Sequence, residues 1–275
     1  MIEILKAVLF GIVEGITEWL PISSTGHLIL LNEFVTLKMT DEFQSMFDVV
    51  IQLGAILAVI VLFFHKLNPF SAKKDSVQKK DTWSLWFKVI VAVIPSAVIG
   101  LLLDDWMDAH FYNYVVVAIM LIVYGVAFLF VEKWNASRKF RITDVSAIDY
   151  RTALLMGAFQ CLSLIPGTSR SGSTILGAIL VGVSRSAGAE FSFFMAIPTM
   201  LGASAIKFLK FMLSGVGITG MEIAVPVVGC VVSFIVSLLV IKALMDYVRK
   251  HTFSAFGVYR IILGLVVLAY FAVFA

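Results

Sequence analysis

Charge is what this sequence has least of. Only 14% of its 275 residues are Asp, Glu, Lys or Arg and 60% are apolar, against about 25% and 45–50% in soluble domains; the mean hydropathy is +1.00. That balance argues against a soluble enzyme and against a disordered regulator. The two cysteines, Cys161 and Cys230, each lie in an apolar run, which excludes a disulfide-stapled scaffold and makes them small core residues. A formal charge of +3 leaves no basic surplus for nucleic acid. Histidine is scarce too: His65, His110 and His251 fall at the ends of apolar runs and read as interfacial, which leaves His27 alone in a polar loop. Glu3 and Lys6 stand where a leader would carry its basic region, and the apolar run continues into Glu14 and Glu18 without a small-residue cleavage site. A removable signal is therefore not expected.

Long apolar runs are what the sequence has instead. A membrane-spanning helix needs about 20 mostly apolar residues. Six stretches qualify: Phe47–Phe64, Trp86–Leu103, Tyr114–Val131, Phe191–Phe211, Ile223–Leu244 and Phe256–Phe274. Basic residues cluster after the first (Lys66, Lys73, Lys74, Lys79, Lys80, Lys88), after the third (Lys133, Arg138, Lys139, Arg141, Arg151) and around the gap between the fifth and sixth (Lys242, Arg249, Lys250, Arg260). By the positive-inside rule these regions are cytoplasmic, the loop with Asp104, Asp105 and Asp108 faces outward, and both termini lie on the outer face. The stretch 66–81 reads as a plain orienting loop.

Two segments remain, Met1–Thr40 and Tyr150–Ser186. Each has an apolar start, a Pro-centred break rich in Ser, Thr and Gly, and then a short apolar stretch, Leu28–Val35 or Ile175–Val183. About ten helical residues reach only half-way across a bilayer, so both read as re-entrant hairpins. The expected fold is an all-α integral membrane protein with six transmembrane helices and two re-entrant helical hairpins.

The two halves also resemble one another. From Gly11 the sequence GIVEGITEWLPISSTG parallels GAFQCLSLIPGTSRSG from Gly157, with Glu14 against Gln160, Pro21 against Pro166 and Gly26 against Gly172. The charge rule makes Phe47–Phe64 and Phe191–Phe211 antiparallel, as an inverted-topology repeat requires. One repeat spans about 1–131 and the other about 150–275, within one membrane domain. Such repeats place binding sites near the midplane.

Glu14 and Glu18 share one helix face inside an apolar segment, where unpaired carboxylates are costly and therefore read as functional. Ser23, Ser24, Thr25, Gly26 and His27 follow directly. The second loop sets Arg170 among Thr168, Ser169, Ser171, Gly172, Ser173 and Thr174, a donor-rich cradle for an anion such as phosphate. Two carboxylates repel an anion unless a divalent cation, Mg2+ or Ca2+, bridges them. Carboxylates, metal, phosphate, Arg and a hydroxyl near a His together suit phosphoryl transfer. Asp48 and Gln52, on one face of the next span, are candidates for supporting contacts or for plain packing.

EGITEWLPISSTGH, from Glu14 to His27, and PGTSRSGSTI, from Pro166 to Ile175, resemble the two motifs of the bacterial undecaprenyl-pyrophosphate phosphatase (bacitracin-resistance) family. FDVVIQLGAILAV from Phe47 and EFSFFMAIP from Glu190 extend the likeness across the chain. The resemblance implies a cell-membrane hydrolase that converts undecaprenyl diphosphate to the monophosphate carrier of cell-wall synthesis, and so confers bacitracin resistance. Carried over, the family's acidic motif falls on Glu14 and Glu18, its nucleophilic serine on Ser24, its histidine on His27 and its arginine on Arg170, and it implies a metal; the mechanism expected from these residues has Glu14 and Glu18 hold the metal, Ser24 attack, His27 carry the proton and Arg170 stabilise charge, with metal-bound water as the rival nucleophile. Expected partners are the bilayer, a polyprenyl diphosphate and, as an oligomeric form, a homodimer. A transporter or flippase for an anionic polyprenyl lipid is the alternative, since that architecture is shared with carriers.

Overall fold

The computed structural model describes residues 1–111, 113–213 and 220–274, apart from the side chains of residues 41, 42, 104, 105, 108 and 274. Among these, eleven α-helices follow one another: α1 (Ile2–Thr17), α2 (Ser24–Phe34), α3 (Asp41–Leu62), α4 (Phe64–Leu67), α5 (Ser76–Phe111), α6 (Tyr114–Asn135), α7 (Tyr150–Cys161), α8 (Arg170–Leu180), α9 (Arg185–Leu213), α10 (Gly220–Lys250) and α11 (Ser254–Phe274). A single isolated bridge, Ile142 to Val183, is the one trace of β pairing among them.

Polar caps set several of these starts. Thr40, Asn113 and Asp149 each accept the backbone N–H three residues on, from Phe43, Val116 and Thr152, which satisfies donors that a helix start leaves free. The hydrogen bonds from Thr152 hold the Asp149 carboxyl below the usual carboxylate range.

Among the described residues six helices are long and apolar enough to cross a membrane, and less than half of the apolar stretch of each is buried within the chain. Leu101, Phe130 and Leu239 expose 68%, 68% and 67% of their surface, as residues facing lipid do. This is a multi-pass membrane protein.

Helix extends beyond the apolar runs at several ends. The first span is Phe43–Leu62, with Phe64 already in the separate α4. Lys79, Lys80 and Lys88 ride on α5 instead of on a loop, and Lys242, Arg249 and Lys250 ride on α10. The backbone of α5 runs on to Phe111, so the segment read as an acidic loop is helical; the side chains of Asp104, Asp105 and Asp108 lie outside the described residues. Charged residues can continue a helix once it has left the hydrocarbon, so hydropathy marks the bilayer and not the helix end. His65, His110 and His251 are exposed, as expected of interfacial positions.

The helices pair across the two halves. α1 packs along α10, and α7 along α5. The first pair runs parallel, with Gly11 against Gly229 and Gly15 against Ser233. So does the second, with Gly157 against Ala92 and Gln160 Nε2 donating to Ser96 Oγ at 2.7 Å. These contacts need glycine: a Cβ on Gly157 would sit 2.0 Å from the Ala92 carbonyl oxygen, and one on Gly11 2.6 Å from that of Gly229. α3 and α9 run antiparallel, because Ser204 donates to the Val49 carbonyl at one end while Lys66, just beyond α3, pairs with Glu190 at the other, 2.6 Å apart. α6 and α11 are antiparallel as well, with Gly125 against Gly257 and Tyr114 stacked on Phe271. At the far end of α6, Glu132 holds both Arg185 and the Phe253 N–H, which ties α6, α9 and the start of α11 together.

α2 and α8 are short and alike. Each has eleven residues, enough for about half a bilayer. Each begins at a Ser with positive φ, 74° at Ser23 and 72° at Ser169.

Candidate active site

The breaks Thr17–Ser24 and Cys161–Arg170 bring the tips of the first and second motifs together. Ser171 Oγ lies 3.2 Å from the Glu18 carbonyl and 3.3 Å from that of Leu20, so α8 is docked against the end of α1.

Glu18 is the hub. It is 6% exposed, and its two carboxylate oxygens have different partners: Oε1 accepts from Arg170 Nη2 at 3.1 Å, and Oε2 accepts from Ser24 Oγ at 2.8 Å. The Arg170 guanidinium is fixed on its other side by Nη1 donating to the Ser192 carbonyl at 2.9 Å. It lies 5.8 Å from the centroid of the buried Trp19 ring, which meets Phe193 edge-on. A cation, its carboxylate and a hydroxyl thus stand in a row.

Glu14, one turn earlier on α1, is fully buried, and neither of its carboxylate oxygens has a hydrogen-bond partner among the described residues. Glu18, Asp48 and Arg170 are close enough for their charges to act on it. A buried carboxylate without donors is costly, and a divalent cation is a group that would resolve the cost. Oxygen-only donors suit Mg2+ or Ca2+. Among the described residues no cluster of three or more His, Cys, Asp or Glu could hold a metal, so the protein offers two carboxylates at most and phosphate oxygens would complete the shell. Asp48 itself accepts from Gln44 at 2.7 Å.

His27 sits apart from the Ser24 hydroxyl's bond. Its Nδ1 is 2.7 Å from the Ser23 carbonyl and its Nε2 2.7 Å from the Tyr259 hydroxyl, with the two rings parallel. A carbonyl only accepts, so Nδ1 carries the proton and Nε2 accepts from Tyr259. In this arrangement the acceptor for Ser24 is Glu18, where the sequence had suggested His27.

The hydroxyls around the two breaks play different parts. Ser23 and Ser169 act as helix caps, accepting from Gly26 N and Gly172 N. Ser171, Ser173 and Thr174 are buried and bonded to protein: Ser173 and Thr174 donate to the Arg170 carbonyl at 3.1 and 2.8 Å, and Thr174 also meets Ser192 Oγ. They shape the turn that presents Arg170. Ser24 and Thr25 are half-buried in the first turn of α2, and Thr168 Oγ1 is buried without a partner among the described residues. Gly26 and Gly172 pack closely, with a Cβ on Gly172 falling 3.2 Å from an Arg260 nitrogen.

Sequence reasoning missed Arg260. It stood among the basic residues taken to set orientation, yet it is fully buried in α11 and donates to the Pro21, Gly167 and Thr168 carbonyls. Its position within the apolar run Phe256–Phe274 was the signal, since a cation inside such a run must have buried partners. Ser192 and Tyr259 carried no comparable signal.

The family model for the bacitracin resistance protein BacA matches residues 7–266. The undecaprenyl-diphosphatase of Lactiplantibacillus plantarum is 57% identical over 271 residues, 98% of each chain. That of Limosilactobacillus fermentum is 58% identical over 275 residues, the full length of both. Undecaprenyl-diphosphatase 1 of Clostridioides difficile is 60% identical over 271 residues, 98% of this chain and 97% of that one.

Proposed function

This chain belongs to the bacitracin resistance protein BacA family, and on that footing we propose that it hydrolyses undecaprenyl diphosphate to undecaprenyl phosphate and inorganic phosphate. The lipid carrier is thereby returned to cell-wall synthesis, and bacitracin resistance follows.

The observation that carries the chemistry is the Glu18 carboxylate shared between Ser24 and Arg170. Ser24 Oγ attacks the terminal phosphorus while its proton passes to Glu18 Oε2. The bond from that phosphorus to the bridging oxygen breaks, and the lipid monophosphate leaves. Water then hydrolyses the phosphoserine: Glu18 hands its proton back to the departing Ser24 oxygen, accepts one from the attacking water, and passes that one to the inorganic phosphate, which leaves Glu18 a carboxylate again. Arg170, braced by Ser192, stabilises charge on the equatorial oxygens. Thr25, Thr168 and the free amides at the start of α2 and α8 contact the phosphate oxygens. His27 holds the Ser23 carbonyl, and with it the turn that carries Ser24. Glu14 and Glu18 would hold a divalent cation, which when bound neutralises the diphosphate beside the carboxylates.

α1–α2 and α7–α8 act as re-entrant hairpins of an inverted repeat. What supports this is the exchange of partners, α1 on α10 and α7 on α5, the antiparallel pairs α3/α9 and α6/α11, and the matching left-handed caps. Both termini lie on the outer side of a bacterial cell membrane in this reading, which the positive-inside rule applied to the basic helix ends supports. All the catalytic groups come from one chain, so this chemistry works in a monomer as well as in a homodimer.

The test is phosphate release from undecaprenyl diphosphate by protein purified in detergent, with and without EDTA. Metal-dependent release that disappears in Arg170→Ala supports the enzyme. Tight lipid binding with no release by wild type would overturn it in favour of a carrier.

A further inference from the structure

Arg260 lies in the first half of α11 and is fully buried inside an apolar span, yet among the described residues no carboxylate is paired with it. Its guanidinium is held by carbonyl oxygens. Nη1 donates to Pro21 O at 3.1 Å; Nη2 donates to Gly167 O at 2.8 Å, to Thr168 O at 3.0 Å and, more weakly, to Met120 O at 3.4 Å. The face of Tyr124 lies 5.5 Å away. Gly172 leaves the space, since a Cβ there would come within 3.2 Å of Nη1.

Those carbonyls are not a random set. Pro21 belongs to the break between Glu18 and Ser24, and Gly167 and Thr168 to the break just before Arg170. One side chain therefore grips both catalytic loops. A trans peptide is planar, so fixing a carbonyl also fixes the orientation of the next residue. Here the next residues are Ile22, Thr168 and Ser169, which lead into the left-handed caps at Ser23 and Ser169. Ser24 and Arg170 come immediately after those caps. The guanidinium also leaves a standing positive charge beside loops that must receive a diphosphate, at a depth where water screens little.

We propose that Arg260 is a positioning residue for the phosphatase reaction: it locks the two loops in register so that the Ser24 hydroxyl and the Arg170 guanidinium meet on the Glu18 carboxylate. This rests on the activity argued above. Lysine cannot substitute, because one ammonium with three hydrogens lacks the planar fork that reaches carbonyls of two loops at once.

The experiment compares wild type, Arg260→Lys and Arg260→Gln, purified in detergent and checked for monodispersity and thermal unfolding, by the kinetics of phosphate release from undecaprenyl diphosphate. Displacing catalytic groups by about an ångström costs roughly 100-fold in rate. Folded Arg260→Lys is expected to lose about that factor in kcat with KM within roughly threefold, and adding Ser24→Ala to it should cost far less than the same change in wild type. The proposal is overturned if folded Arg260→Lys keeps kcat within about twofold of wild type, if the loss falls on KM alone, or if neither variant can be recovered folded, which would make Arg260 a stability element only. An inactive wild type would instead overturn the phosphatase reading, so the two failures are distinct.

Discussion

Ser23 and Ser169 hold the same unusual backbone, φ 74° and 72°, and each caps its helix by accepting the N–H of a glycine three residues on, Gly26 or Gly172. A non-glycine residue at positive φ costs of order 1–3 kcal/mol and persists where its surroundings over-determine it. At each position the residue that follows is one of the two groups that meet on Glu18. The strain is thus stored immediately beside the site.

This pairing predicts an inverted order of substitution effects. Ser169→Ala keeps the strain and loses the cap, and is expected to destabilise by about 1 kcal/mol; Ser169→Gly loses the cap but sheds strain of order 1–3 kcal/mol, and is expected to be neutral or mildly stabilising. Thermal unfolding in detergent orders the two. Alanine as the milder change would contradict the description of Ser169 as a strained cap.

Glu18 serves Ser24 and Arg170 together, so its loss should be severe. Glu18→Gln is expected to lower kcat by about 10²–10⁴-fold, the range for a lost general base, and Ser24→Ala by a similar factor. The double variant should be little worse than either, since groups that act as a unit are not additive. Trapping a phosphoserine at Ser24 would confirm the attacking group. A Ser24→Ala enzyme that keeps a sizeable fraction of the rate would exclude it and leave attack to metal-bound water.

Arg170 spans the Ser192 carbonyl and the Glu18 carboxylate with two different nitrogens. Lysine can reach one of these, not both. Arg170→Lys is therefore expected to recover little of the activity lost in Arg170→Ala, with kcat down by roughly 10²–10³-fold, the size of a lost transition-state donor. Recovery to near wild-type rates would show that charge alone suffices there.

Both buried oxygens of Glu14 lack a donor among the described residues. EDTA should abolish phosphate release and Mg2+ or Ca2+ restore it. Glu14→Gln, isosteric but neutral, should raise the half-saturating metal concentration roughly 10–100-fold, the usual scale for a weakened metal site. A metal titration in which wild type and variant superimpose would remove Glu14 from the metal site.

Much of this was legible in the sequence, for identifiable reasons. The spans were, because a bilayer demands about 20 apolar residues. The interruptions between α1 and α2 and between α7 and α8 were, because Pro21 and Pro166 interrupt apolar runs with dense hydroxyls. Meetings across the chain were harder to read: Glu18 reaches Arg170 from 152 positions away. That Ser24 would donate to Glu18 and His27 lie against Tyr259 depends on rotamers and on the approach of α11, neither of which leaves a pattern along the chain. Arg260 was misplaced because its grouping with Lys242, Arg249 and Lys250 outweighed its position inside the apolar run Phe256–Phe274. Ser173 and Thr174 donate to the Arg170 carbonyl, a use of serine and threonine that leaves the same pattern along a sequence as phosphate binding does.

Trp19 is the one fully buried tryptophan of five, enclosed by Phe193 and by the Arg170 guanidinium. An indole so placed is a built-in optical probe. On the proposed function, a headgroup that draws Arg170 away from Glu18 would change the electric field across the ring. In a protein whose other four indoles are replaced by phenylalanine, Trp19 emission would follow occupancy without any label, even in variants too slow to release measurable phosphate.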